Sequence, residues 1–201
     1  MKREEVLILA RAFYPKSQVE KLEKAINFAS VAHEGQFRRS GEPYITHPLA
    51  VAHNLIEWGM DIDSVIAGVL HDTVEDTAVT VEDIEKNFGK RVATLVGRES
   101  EDKSKPWLER KIHTIKHLKN ECIEVKMIAL GDKLSNIRAS ARDFLAVGDD
   151  FLLKFHEKDK LKQGMYYFGI LDSLRELENS EFYREYEKLC NFVFGDMRDK
   201  I

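Results

Sequence analysis

Residues 64–77 read "SVIAGVLHDTVEDT": an uncharged run through Leu70, then His71, Asp72, Glu75 and Asp76 within the following turn or two. The uncharged run predicts a helix buried on all sides. At about 100° per residue, His71 and Glu75 lie ~40° apart around a helix axis, as do Asp72 and Asp76. If the helix runs on through residue 76, all four share one sector of roughly 140°. Clustered carboxylates repel, and burying them without a counter-charge is costly. The plain alternative is a solvated helix end. The abrupt change from uncharged to acidic argues instead for something positive held there.

Outward from this stretch, helical signals dominate. Ser17 and Glu20 have capping-box spacing before "VEKLEKAINFASVAH", where Leu22, Ile26 and Ala29 recur at helical intervals. "RRSGEPY" (38–44) reads as a turn, followed by Thr46 as N-cap with Pro48 in the first turn of "PLAVAHNLIEWG". Asp61 or Asp63 can cap the uncharged helix, and Thr80 can cap "VEDIEKNFG". "KRVATLVGRESED", "PWLERKIHTIKHLKN", "ECIEVKMIALGDKLSNIRASARDF", "KDKLKQGMYYFGILDSLREL" and "SEFYREYEKLCNFVFG" complete a series of helices. No run alternates like a strand, so the expected fold is all-α.

The 201 residues suffice for one substantial domain, and no repeat or Pro/Gly-rich linker divides them. A net charge of −4 and a pI near 6.0 do not suit a nucleic-acid binder. Cys122 and Cys190 are far apart and form no CxxC pair, which argues against a disulfide framework or a structural zinc site. "VLILA" (6–10) is too short for a signal-peptide core, and no apolar run reaches the ~18 residues of a membrane span. The expectation is a cytoplasmic protein without membrane or nucleic-acid partners, with a homo-oligomer left open.

Two further stretches bear on the acidic cluster. "YITHP" puts His47 in the first turn of a helix, and "MIALGDKLSNIR" puts Asp132 inside an apolar helix with Asn136 four residues on, on the same face. Gly131 beside Asp132 leaves backbone room for a neighbour. The order H…HD…D, with His47, His71–Asp72 and Asp132, resembles the HD-domain metal-dependent phosphohydrolases. The surrounding blocks "RRSGEPYITHPLAVA", "AGVLHDTVEDTAVTVEDIEKNFGKRVATLV" and "GDKLSNIR" narrow the likeness to the hydrolase domain of the RelA/SpoT alarmone enzymes. With no synthetase domain before Ile201, the chain is similar to the small, hydrolase-only members, which share a stretch like "EDKSKPWLERK" (101–111). The resemblance implies one helical HD-type hydrolase domain over 1–201, with a motif core at 20–140 and a helical extension at 141–201.

It also implies a ligand set of His47, His71, Asp72 and Asp132 for Mn²⁺, although Fe²⁺, Co²⁺ or Zn²⁺ satisfy the same ligand chemistry. Glu75 and Asp76 would then handle the attacking water and its proton. Arg38 would pack on guanine, Ser40 and Asn136 would hold the nucleotide, and Lys162 and Tyr166 align with a phosphate contact and an aromatic of the small members. Read from residues alone, Arg38 and Arg39 are a solvated pair, and His113 and His117 an exposed helix face. The long enzymes end their D-x-x-x-N-x-x-T segment with threonine where this chain has Ala139, which weakens the expected guanine preference. The activity implied is removal of the 3′-pyrophosphate of guanosine tetra- or pentaphosphate. Alternatives are an NADPH 2′-phosphatase or another nucleotide phosphohydrolase with the same site, or a non-catalytic nucleotide-sensing module.

Overall fold

The structure is a computed structural model that describes residues 1–99 and 104–200, the side chain of Glu99 excepted. Residues 101–103 of the "EDKSKPWLERK" stretch lie outside the described residues. The helices are α1 (Arg3–Phe13), α2 (Lys16–Ala32), α3 (Thr46–Glu57), α4 (Ile62–Leu70), α5 (Thr73–Asp76), α6 (Val81–Phe88), α7 (Lys90–Glu99), α8 (Trp107–Leu118), α9 (Ile123–Val147), α10 (Lys160–Ser173) and α11 (Glu181–Phe194). Short 3₁₀ turns follow α9, α10 and α11. Among the described residues the β contribution is one bridge, Phe37 to Pro43, so the fold is all-α as expected.

The chain packs as two compact units: the described residues of Met1–Ser100 with Ile123–Asp132, and those of Glu101–Cys122 with Lys133–Ile201. Helix α9 contributes to both, and the chain passes from one to the other inside it, between Asp132 and Lys133.

In the first unit α4 is central and packs against α2, α3 and α7. Every residue from Ser64 to Leu70 is buried, which is what an uncharged helix requires. Its close contact with α3 depends on Gly68, where a Cβ would come within 2.4 Å of Leu55 Cδ1 and 3.3 Å of Val51 Cγ1. Gly131 serves α9 similarly: a Cβ there would meet Val51 Cγ1 at 3.3 Å, and Asn54 Nδ2 donates to its carbonyl at 3.5 Å. Asp61 caps α4, accepting from the amides of Asp63 and Ser64 at 3.0 and 3.2 Å. Arg91 of α7 donates to the same carboxylate at 2.6 and 3.0 Å. Burial would raise the Asp61 pKa, but Arg91 and Ser64 outweigh it and hold the carboxyl below its usual range.

In the second unit α10 packs on α8 and α11. A Cβ at Gly169 would fall 2.4 Å from Ile115 Cδ1, and Ser173 Oγ donates to Ile115 O at 2.8 Å. The hydroxyls of Tyr183 and Tyr186, buried on α11, each donate to an α10 carbonyl at 3.1 Å. Arg138 on α9 makes a two-pronged pair with Glu185, both contacts at 2.7 Å.

Several local expectations are corrected. Helix α2 starts at Lys16 behind Pro15, so Ser17 lies inside it and forms no capping box. Thr46 is the first residue of α3 rather than its cap, and its hydroxyl donates to Pro43 O at 2.9 Å. Thr80 does cap α6, in a reciprocal box with Asp83. Helix α1 was absent from the expectations. The uncharged helix does not run through residue 76: α4 stops at Leu70, and a turn at His71–Asp72 separates it from α5. Side chains engage two carbonyls at this break. His71 Nδ1 bonds Gly68 O at 2.8 Å and Thr73 Oγ1 donates to Leu70 O at 2.7 Å, using two acceptors that a continuing helix would give to its own amides.

The packing at Gly68 yields a paired test. Gly68→Val should destabilise the protein by about 1–3 kcal/mol through overpacking against Leu55. Gly97→Ala, where among the described residues a Cβ would meet only Val81, at 3.7 Å, should stabilise it by up to about 1 kcal/mol through helix propensity. Urea denaturation midpoints of the two variants, moving in opposite directions, check this.

Candidate metal and acid–base site

Three stretches of the first unit meet at one place. The N-terminal turn of α3 supplies His47, the turn after α4 supplies His71 and Asp72, and α9 supplies Asp132. His47, His71 and Asp132 are buried, with relative exposures of 3%, 4% and 6%. Their ligand atoms lie within 4.8 Å of one another. His47 Nε2 is 3.1 Å from Asp132 Oδ1 and 3.5 Å from Asp72 Oδ2. His71 Nε2 is 3.0 Å from Asp72 Oδ2 and 3.9 Å from Asp132 Oδ1. Asp72 thus reaches both imidazoles, as does Asp132.

The electrostatics follow from burial and proximity. Burial opposes the charged form of His71, but Asp72 and then Asp132 outweigh it and push its pKa up to about 10. Burial likewise opposes the Asp72 carboxylate, and His71 outweighs it, so that carboxyl is held well below its usual range. For His47 burial wins over both carboxylates and the imidazole is shifted down.

The residues fit a divalent cation. His71 Nδ1 is committed to the Gly68 carbonyl, which orients the ring and turns Nε2 toward the carboxylates. That Nε2 is buried and faces Asp72 Oδ2 at 3.0 Å. A histidine pinned through one nitrogen with the other presented to carboxylates is the usual arrangement of a ligating imidazole. Two imidazoles with carboxylate oxygens suit a divalent transition ion.

Tyr44, unremarked in the sequence reading, ties this cluster to the acidic turn. Its hydroxyl donates to Asp72 Oδ2 at 2.6 Å and to Asp76 Oδ2 at 3.4 Å. Burial, then Asp72, Asp76 and Asp132, push its pKa far above the usual phenol value, so the hydroxyl remains a donor. The Y-x-x-H spacing in "YITH" was the available signal, since it brings Tyr44 into edge contact with His47, ring centroids 5.9 Å apart. Glu75 and Asp76 sit half-buried on α5, one turn from the histidine–aspartate pair.

The other expected residues are distributed over both units. Arg38 and Ser40 flank the turn in the first unit: Arg38 N donates to Glu42 O at 2.7 Å, and Ser40 Oγ to Glu42 Oε2 at 3.3 Å. In the second unit, Asn136 is half-buried on α9. Lys162 is paired with Glu157 at 2.9 Å. Tyr166 is buried at 6% exposure, its ring near Trp107 and flanked by Lys111 and Lys133 nitrogens at 4.8 and 5.6 Å. His113 and His117 stack on one another, and His117 pairs with Glu121 at 3.0 Å.

Comparison with known proteins agrees with this geometry. The HD-domain family model matches residues 25–145. The bifunctional (p)ppGpp synthase/hydrolase SpoT of Escherichia coli is 39% identical over 136 residues, covering 65% of this chain and 19% of SpoT. The guanosine-3′,5′-bis(diphosphate) 3′-pyrophosphohydrolase of Aquifex aeolicus is 33% identical over 207 residues, covering 94% of this chain and 28% of its own. The chain therefore spans under a third of the length of either relative. Among solved structures, a metazoan SpoT ortholog reported to hydrolyse ppGpp superimposes with a TM-score of 0.72 at 28% identity, over 88% of this chain and 95% of that one. A Listeria monocytogenes protein superimposes with a TM-score of 0.69 at 35% identity, over 74% and 99% of the two chains. The histidine–aspartate cluster, the helical fold around it and these matches lead to one conclusion: the chain belongs to the HD-domain family and is of the RelA/SpoT type.

Proposed function

We propose that the protein is a Mn²⁺-dependent hydrolase that removes the 3′-pyrophosphate of guanosine tetra- or pentaphosphate, leaving GDP or GTP. The observation that carries the reading is the pairing of two groups: the buried imidazole–carboxylate cluster, and the Glu75–Asp76 turn, whose Asp76 is linked to it through Tyr44. Relatives named for ppGpp hydrolysis support the substrate.

In this reading His47, His71, Asp72 and Asp132 hold the cation. When bound, it supplies positive charge against the phosphates and makes a water more acidic. The chain's own residues do the rest. Glu75 or Asp76 takes the proton from the attacking water, which requires a carboxylate within hydrogen-bond reach of it. Tyr44 keeps the Asp72 and Asp76 carboxylates side by side by donating to both. Within the first unit, Arg38 and Ser40 bind the nucleoside. No helix among the described residues is long and apolar enough to cross a membrane. A reduced cytoplasm, where such nucleotides are made and used, suits the two free cysteines.

Replacing His47, His71 or Asp132 with alanine should abolish tight divalent-ion binding, and elemental analysis of the purified variants measures it. An Asp132→Ala protein that keeps its full metal content would remove Asp132 from the ligand set. Glu75→Gln and Asp76→Asn are nearly isosteric, so they should retain metal and nucleotide while turnover falls about 10²-fold or more. Single-turnover assays separate the two effects, and normal rates in both variants would reduce the pair to bystanders. For the substrate, the nucleoside contacts fix the ribose relative to the cluster, so the phosphate presented should hang from its 2′ or 3′ side. Product analysis by mass should therefore show pyrophosphate and GDP from ppGpp, and little or no hydrolysis of GTP or ATP. NADPH, with its 2′-phosphate on that side of the sugar, is the informative control. Faster hydrolysis of GTP than of ppGpp and NADPH would leave only the broader phosphohydrolase assignment.

A further inference from the structure

We propose that His33 and Gln36 are positioning residues for the acid–base turn: together they hold α5 so that the Asp76 carboxylate stays beside Asp72. Helix α5 is a single turn, and an isolated turn of this length is not stable by itself. Its C-terminal carbonyls have no partner within the helix. Gln36 supplies one, donating from Nε2 to Asp76 O at 2.9 Å, across 40 residues of sequence.

With Nε2 spent on that carbonyl, the Gln36 Oε1 faces His33 Nδ1 at 2.8 Å and needs a donor. The His33 proton is therefore on Nδ1. The ring itself is buried. The ring does more than hold Gln36. It lies against the Tyr44 ring, centroids 4.7 Å apart, and Tyr44 is the residue that joins Asp72 to Asp76. The main chain closes the arrangement, with Tyr44 N donating to Gln36 O at 2.9 Å. Gly35, at φ 77°, allows the sharp exit from α2 that brings Gln36 round. Asp76 is thus held twice from the end of α2: by its carbonyl through Gln36, and by its carboxylate through Tyr44 packed on His33.

The inference rests on Glu75 and Asp76 being the acid–base pair, and its test has one arm that does not depend on substrate. Gln36→Met removes the donor at similar size, His33→Leu removes the donor to Gln36, and His33→Asn keeps an N–H close to the Nδ1 position. Hydrogen exchange at the amides of Asp76 and Thr77 should accelerate in Gln36→Met and His33→Leu and stay near wild type in His33→Asn. Metal content should be unchanged in all three. With ppGpp, kcat should fall about tenfold or more while KM stays within about twofold, the pattern of a misplaced catalytic group. Unchanged exchange in Gln36→Met overturns the proposal, and so does faster exchange with unchanged kcat. If His33→Leu does not fold, half-buried Gln36 still provides the deciding variant. Failure of the wild-type protein to hydrolyse ppGpp would sink the substrate reading, while the exchange data still decide whether the two residues hold the turn.

Discussion

Two carboxylates, Asp72 and Asp132, are brought into a largely buried space between two imidazoles, and the architecture around them answers to that constraint. Removing one partner from a buried, charge-balanced group typically costs about 3–5 kcal/mol, because the other charge is left uncompensated. The cluster is therefore a poor source of stability by itself and a strong requirement on its surroundings. Positive charge has to be present, as a proton or as a cation. The upward shift at His71 and the downward shift at Asp72 express the same demand from its two sides.

Meeting it requires three helices to end or pass within a few ångströms of one point, and the packing of the first unit arranges this through small residues. Gly68 lets α4 lie against Leu55 and Val51 of α3, and Gly131 lets α9 approach the same Val51. The cap and ion-pair network at Asp61 and Arg91 secures the opposite end of α4. The buried helix is thus held at its start by polar contacts and along its length by apolar ones. Its other end is free to break where chemistry needs a turn.

That break separates two jobs that a continuous helix would merge. His71 points inward at the cluster, pinned by Gly68 O, while α5 carries Glu75 and Asp76 on a separate short turn. A one-turn helix has little intrinsic stability, so its position depends on Gln36 and Tyr44 from the segment after α2. The same segment carries Arg38 and Ser40, which places the proposed nucleoside contacts and the support of the acid–base turn on one stretch of chain.

Much of this was legible in the residues. The uncharged run at 64–70 specified burial of α4, because no amphipathic alternative exists for it, and Asp61 and Thr80 marked helix starts through their own side-chain chemistry. The cluster of His47, His71–Asp72 and Asp132 was implied by the resemblance of their order to the HD-domain phosphohydrolases. Local periodicity misled at residues 71–76, since it assumes a continuous helix, whereas the chain turns at His71–Asp72, where His71 and Thr73 side chains bond the Gly68 and Leu70 carbonyls. The capping expectations at Ser17 and Thr46 failed for a related reason: a plausible local bond was available, but Pro15 and Pro43 set the chain differently. Tyr44 left only the Y-x-x-H spacing as a signal, and His33 and Gln36 left none. The roles of Tyr44 and Gln36 come from bonds that span 28 and 40 residues, and such pairings exist only once α2, α3 and α4 have packed. Sequence determined which chemistry the chain can hold and which helix must be buried; tertiary structure decided how the acidic turn is aimed, because that depends on groups distant in the chain and adjacent only in the fold.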